Sequence, residues 1–177
     1  MIILAGLIAS VFLFFASPDK YTAVKGNLNW SIRYSVENNS YFSIYIPFKV
    51  MQPLDSSMFS AKNAFITYLI SALLGLSLSL YGIKQILNIL KSTAKDITPF
   101  IRDNAKNLKK LAYTIITYSL ASDLISNILC SAFVIKIFTF DLSNIHLSGV
   151  LVGGLIFIIA EIFQYGVYLQ NEYDTTL

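Results

Sequence analysis

Three stretches of this chain are apolar for as long as a membrane crossing requires, and that limits its folding choices more than any other feature. They cover about residues 64–81, with helical spacing continuing to Leu90, then 111–138 and 147–169. A helix rises about 1.5 Å per residue, so about 20 apolar residues cross the hydrocarbon core. A fourth apolar block, residues 1–16, is shorter. Of the 177 residues, 55% are hydrophobic and only 13% charged. A soluble domain of this length carries nearer a quarter charged residues, because its whole surface faces water. The expectation is an all-α integral membrane protein with four transmembrane helices and a small extracytoplasmic β-hairpin between the first two.

Residues 1–16 also have the length of a secretory signal peptide. No Lys or Arg precedes the apolar run, however, and Phe14-Phe15-Ala16 is a poor small-residue cleavage site. A retained first helix is the favoured reading, short enough to be the remnant of a longer one.

Basic residues set the expected orientation. Lys84, Lys91, Lys95, Arg102, Lys106, Lys109 and Lys110 crowd the link between the second and third blocks. Lys20, Lys25, Arg33, Lys49 and Lys62 are spread over the longer segment before the second block. Basic loops stay in the cytoplasm, so a multi-pass plasma-membrane protein with both termini cytoplasmic is expected. The segments are then helix 1 over 1–17, an outer segment over 18–63, and helix 2 with a cytoplasmic extension over 64–91. A basic connection over 92–107 leads to helix 3 over 108–139, an outer loop over 140–146, helix 4 over 147–169 and a cytoplasmic tail over 170–177.

In the outer segment, Trp30, Ile32, Tyr34 and Val36 alternate with polar residues up to the turn-forming Glu37-Asn38-Asn39-Ser40. Phe42, Ile44, Ile46, Phe48 and Val50 resume the alternation until Pro53. This predicts two strands, whose apolar face needs the helix bundle or the membrane surface as cover. In the basic connection, Ile83, Ile86, Leu87, Leu90 and Ala94, then Phe100, Ala105, Leu108 and Ala112, keep helical spacing. Thr98 is the expected N-cap and Pro99 the first helical residue. The result is an antiparallel helical hairpin whose basic face either meets anionic headgroups, worth about 1 kcal/mol per basic residue, or docks a protein.

Polar residues inside the apolar blocks are the candidate sites. Ser119, Ser122, Asp123, Ser126, Asn127 and Cys130 form one stripe, with Asp123 about 18 Å along the third helix from its inner end. Glu161 lies in the inner part of the fourth, followed by Gln164, Tyr165 and Tyr168. Such groups cost several kcal/mol in lipid unless they are neutral, paired or hydrated. Asp123 is expected to bond Asn127 and nearby hydroxyls, and Glu161 a tyrosine or a basic residue. Leu120-Ala121-Ser122-Asp123 lacks the Gly-x-Gly-Asp context of intramembrane aspartyl proteases. The small residues Ser71, Gly75 and Ser79 on helix 2, and Gly149 and Gly153 on helix 4, predict close helix packing. No His-Glu-x-x-His, phosphate-binding glycine loop or Gly-x-Ser-x-Gly occurs. With single residues Cys130 and His146, neither an internal disulfide nor a His-rich metal site is expected. Neither enzyme activity nor a cofactor is expected.

Pro99-Phe100 followed by Asn104-Ala105-Lys106-Asn107-Leu108-Lys109-Lys110 resembles the opening of the third helix in a bacterial membrane family, domain of unknown function 2975. Ala160-Glu161-Ile162-Phe163, then Gly166, Leu169-Gln170, Glu172, Asp174 and Thr175, resembles that family's closing signature. The resemblance covers about residues 64–177 and implies a four-helix membrane protein often encoded beside a Cro/CI-type helix-turn-helix regulator. It therefore implies a membrane sensor or regulator acting through a cytoplasmic partner of that kind. Lys106, Lys109, Lys110, Glu172 and Asp174 are the candidate docking residues. A protective protein against a membrane-active peptide and a small proton-coupled transporter are the alternatives. The lipid bilayer is the other expected partner, self-association stays open, and direct contact with nucleic acid is not expected.

Overall fold

A computed structural model describes residues 2–36, 40–48, 59–94, 98–136 and 146–176, apart from the side chains of 2, 3, 174 and 176. The elements are α1 (Ile2–Phe15), β1 (Tyr21–Lys25), β2 (Asn29–Ser35), β3 (Tyr41–Pro47), α2 (Ala61–Thr93), α3 (Arg102–Cys130) and α4 (Leu147–Thr176), with one π-helical turn (Ser131–Ile135) prolonging α3. Among the described residues, three helices are long and apolar enough to cross a membrane, over Ala61–Thr93, Arg102–Ile135 and Leu147–Tyr173. Only 22, 22 and 11% of their most apolar windows lie buried. Most of that apolar surface therefore needs a cover from outside the chain.

The chain divides into two units: residues 1–76 with 122–145, and residues 77–121 with 146–177. In the first, the predicted hairpin is a three-stranded antiparallel sheet in the order β1-β2-β3. Trp30 faces Ile46, Ile32 faces Ile44 and Tyr34 faces Phe42, so the period-2 alternation read from the sequence sets the inner face. That face covers the start of α2 and the end of α3, in a core of Trp30, Ile32, Tyr34 and Ile46 with Ala64, Phe65, Cys130 and Val134. The helix ends thus supply the cover that this face needs. Trp30 also stacks on Phe59, with ring centroids 4.3 Å apart.

The unforeseen strand is β1, joined to β2 through Gly26-Asn27-Leu28, where the Gly26 N–H donates to the Asn29 carbonyl at 2.9 Å. β3 ends at Pro47, and the Phe48 N–H beyond it still donates to the Leu28 carbonyl at 3.1 Å. The expected turn at 37–39 and the strand continuation through Val50 to Pro53 lie outside the described residues.

The first unit also ties down α1. The Tyr21 hydroxyl donates to the Leu13 carbonyl at 2.7 Å, and Lys62 Nζ to that of Ala16 at 2.8 Å. These fill acceptors that a helix C-terminus otherwise leaves open. Burial, and after it the neighbouring Tyr34, pushes the Tyr21 phenol up to about 12, so it remains a donor at neutral pH.

In the second unit, α2 and α3 form the expected antiparallel hairpin, with Gly82 facing Leu111 and Thr114. The start of α3 differs from expectation. The Ile101 carbonyl accepts from the N–H groups of Asn104 and Ala105, so Ile101 caps the helix and Pro99 lies before it. α4 also continues to Thr176, so the expected tail is largely the last turns of a helix. Backbone bonding inside a helix does not depend on the lipid that the hydropathy pattern tracks.

Candidate functional site: the α3–α4 face

Glycines let α4 approach α3 in the second unit. A Cβ on Gly149 would stand 3.0 Å from Ser119 Cβ. One on Gly153 would stand 2.5 Å from Ile116 Cγ1 and 3.2 Å from the Ala112 carbonyl oxygen. Farther along, Gly166 receives the Phe100 ring, where a Cβ would lie 2.6 Å from Cδ1. Phe100 also meets Phe163, with centroids 5.1 Å apart.

Between these contacts Lys109 reaches from α3 to α4. Its Nζ lies 2.8 Å from Glu161 Oε1 and donates to Gln164 Oε1 at 2.6 Å. It also sits 5.8 Å from the Phe157 ring centroid. The Lys109 side chain is 29% exposed and that of Glu161 49%. In water such a pair contributes at most about 1 kcal/mol, because solvent screens it. Beside lipid, its larger effect is to spare each charge the cost of standing alone.

The link into α3 is held by Asn104, which is fully buried. Its Nδ2 donates to the Pro99 carbonyl at 3.0 Å and to Thr93 Oγ1 at 3.3 Å, while its Oδ1 accepts from the Ser92 hydroxyl. Thr98, expected to cap α3, instead donates to Gln170 Oε1 on α4 at 3.1 Å.

Among the described residues, two depressions border α3 in this unit. One, of about 450 Å³, has Arg102, Lys106 and Lys109 on one wall and Gln164, Tyr168 and Asn171 on the other. The second, of about 560 Å³, lies between α2 and α3 and includes Asn88, Lys91, Asp103, Asn107 and Lys110. Lys106 lines both.

A family model matches residues 27–177 of the chain. The chain belongs to the DUF2975 family, proteins of unknown function. No curated protein and no solved structure matches it significantly. The DUF2975 match takes in β2 and β3, beyond the reach of the resemblance seen in the sequence, and leaves α1 and β1 outside. The two stretches that carry the resemblance meet in the second unit, Phe100 on Phe163 and Gly166, Lys109 on Glu161 and Gln164.

The other sequence candidates are dispersed. Asp123 and Asn127 are half-buried in the first unit, where Ser126 donates to the Ser122 carbonyl at 2.9 Å. Ser71 and Gly75 are half-buried and Ser79 is exposed. Lys106, Lys110 and Glu172 are exposed, and the Asp174 side chain lies outside the described residues. Sequence reasoning missed Asn104 as a buried junction, although its place in the quoted Pro-Phe…Asn run was the available signal. Gly82 was missed because it lacks a small partner four residues away.

Glu161→Gln is expected to be milder than Glu161→Leu, since the amide retains an acceptor for Lys109. A loss of about 1 kcal/mol is expected for leucine in thermal unfolding in detergent, with the Lys109→Met/Glu161→Leu double variant recovering part of it. Equal stability of parent, Gln and Leu variants would show the pair to be dispensable.

Proposed function

We propose that this DUF2975 protein is a multi-pass plasma-membrane protein that catalyses no reaction and acts by holding a cytoplasmic protein on the basic face of its α2–α3 hairpin. The carrying observation is the depression of about 560 Å³ at that hairpin, with Lys91, Lys106 and Lys110 among its lining residues. A protein with an acidic surface gains both steering and register from such a face. The helix-turn-helix regulator implied by the family resemblance is the partner class to test first. Glu161 fits this reading as a helix-pairing group, since Lys109 engages it within the chain. Glu172, exposed on the last turns of α4, and Asp174 add charge of the opposite sign for the partner's basic groups.

The test compares native-membrane purifications of the parent and of the Lys91→Glu/Lys110→Glu variant. Recovery of a helix-turn-helix regulator should fall roughly tenfold in the variant, from two reversed contacts of up to about 1 kcal/mol each. Thiol labelling in a Cys130→Ala background checks orientation, with Ser40→Cys reached from outside intact cells and Lys110→Cys only after permeabilisation. Equal recovery from a correctly oriented variant removes the docking proposal, and inverted labelling removes the cytoplasmic assignment.

A further inference from the structure

The groove between α3 and α4 pairs two ridges of matched spacing. Arg102, Lys106 and Lys109 recur at i, i+4 and i+7 on α3, and Gln164, Tyr168 and Asn171 at the same intervals on α4. Each set therefore falls on one face of its helix. Lys109 is already neutralised by Glu161. Among the described residues, Arg102 and Lys106 have no acidic partner, which leaves two unmatched positive charges on one wall. The other wall is uncharged but rich in donors. Gln164 uses its carbonyl oxygen on Lys109, leaving its N–H groups to donate, and Tyr168 and Asn171 add a hydroxyl and an amide. Cations opposite neutral donors suit a phosphate diester, whose two non-bridging oxygens share one negative charge and accept from both sides. The volume, about 450 Å³, accommodates a glycerophosphate group. Beside the groove, α4 exposes Ile162, Tyr165 and Leu169 at 58, 63 and 46%. The Tyr165 and Tyr168 rings stack there with centroids 6.4 Å apart, and tyrosines favour the boundary between headgroups and acyl chains.

We propose that this groove holds the phosphate of an anionic glycerophospholipid from the cytoplasmic leaflet, with its acyl chains lying along the exposed apolar side of α4. The proposal rests on the membrane reading, and the groove shares only Lys106 of its named residues with the protein-docking face. Bound there, the lipid joins α3 to α4 through charges left unmatched among the described residues.

The full chain, solubilised in detergent, is offered phosphatidylglycerol and phosphatidylcholine together, and retained lipid is measured by native mass spectrometry. Phosphatidylglycerol should be retained in preference. Arg102→Gln and Lys106→Gln should each weaken its retention roughly fivefold, while Lys110→Gln, at a residue that lines the α2–α3 depression and not this groove, should leave it unchanged. Arg102→Lys should keep most of the retention. If the double Arg102→Gln/Lys106→Gln variant fails to fold, the headgroup preference of the parent and the single Lys106→Gln variant still decide. No preference between the lipids overturns the proposal, as does an equal loss in Lys110→Gln, which would mark a merely basic surface. Full displacement by sn-glycerol 3-phosphate also overturns it, because the ligand is then soluble. The membrane reading is checked apart from this: it fails if carbonate washing releases the protein without detergent, whatever the lipid result.

Discussion

Asn104→Leu is expected to destabilise the second unit by about 3 kcal/mol, measured as the loss in unfolding free energy in detergent followed by circular dichroism. Asn104 is fully buried and bonds three groups around the α2–α3 link, the Pro99 carbonyl and the hydroxyls of Thr93 and Ser92. Leucine keeps the branched shape and the number of heavy atoms but strands those partners. A buried polar group left unsatisfied costs about 1–3 kcal/mol, whereas an ordinary hydrogen bond contributes only about 1 net. Ser92→Ala removes one hydroxyl, whose proton is shared between Asn104 Oδ1 and the Ile89 carbonyl, and should cost about 1 kcal/mol. If the two variants lose the same amount, Asn104 does not organise the junction.

Gly153→Ile should separate α4 from α3, with a similar loss of about 3 kcal/mol and faster proteolysis of residues after 146. A Cβ at Gly153 meets Ile116 Cγ1 at 2.5 Å, which could rotate, and the Ala112 carbonyl oxygen at 3.2 Å, which is backbone and cannot. The branched side chain worsens both. The adjacent Gly154 is a built-in control, since a Cβ there would have nothing within 4 Å. Gly154→Ala is expected to be neutral or to stabilise by up to about 1 kcal/mol, through the better helix propensity of alanine. Equal damage at the two positions would mean that backbone stiffness, not helix approach, governs this stretch.

Much of the architecture is legible from residue periodicity. In lipid a backbone would have no partner but itself, so apolar runs of this length predict helices, and α2, α3 and α4 run through the blocks read from the sequence. Strict alternation over Trp30, Ile32 and Tyr34 specified the buried face of β2, because successive side chains of a strand point to opposite sides. β1 escaped notice because Tyr21–Lys25 is only five residues with weak alternation, although Gly26-Asn27 carries hairpin-turn chemistry. By sequence, residues 170–177 read as a cytoplasmic tail, whereas α4 continues to Thr176.

The candidate site was legible residue by residue but not as an assembly. Glu161 was expected to need a basic or aromatic partner, and Gly149 with Gly153 to admit a neighbouring helix. That the partner is Lys109, that Phe100 fills the gap at Gly166, and that Thr98 serves Gln170 instead of capping α3 came only from the tertiary structure. The reason is geometric. Hydrophobic period fixes the angle at which a residue leaves its helix, but not how far one helix is displaced along another. A shift of one turn, about 5.4 Å, would preserve every periodic signal while taking Lys109 out of reach of Glu161. That axial offset is set by which small residues admit which side chains, here Gly153 against Ile116 and Gly166 against Phe100.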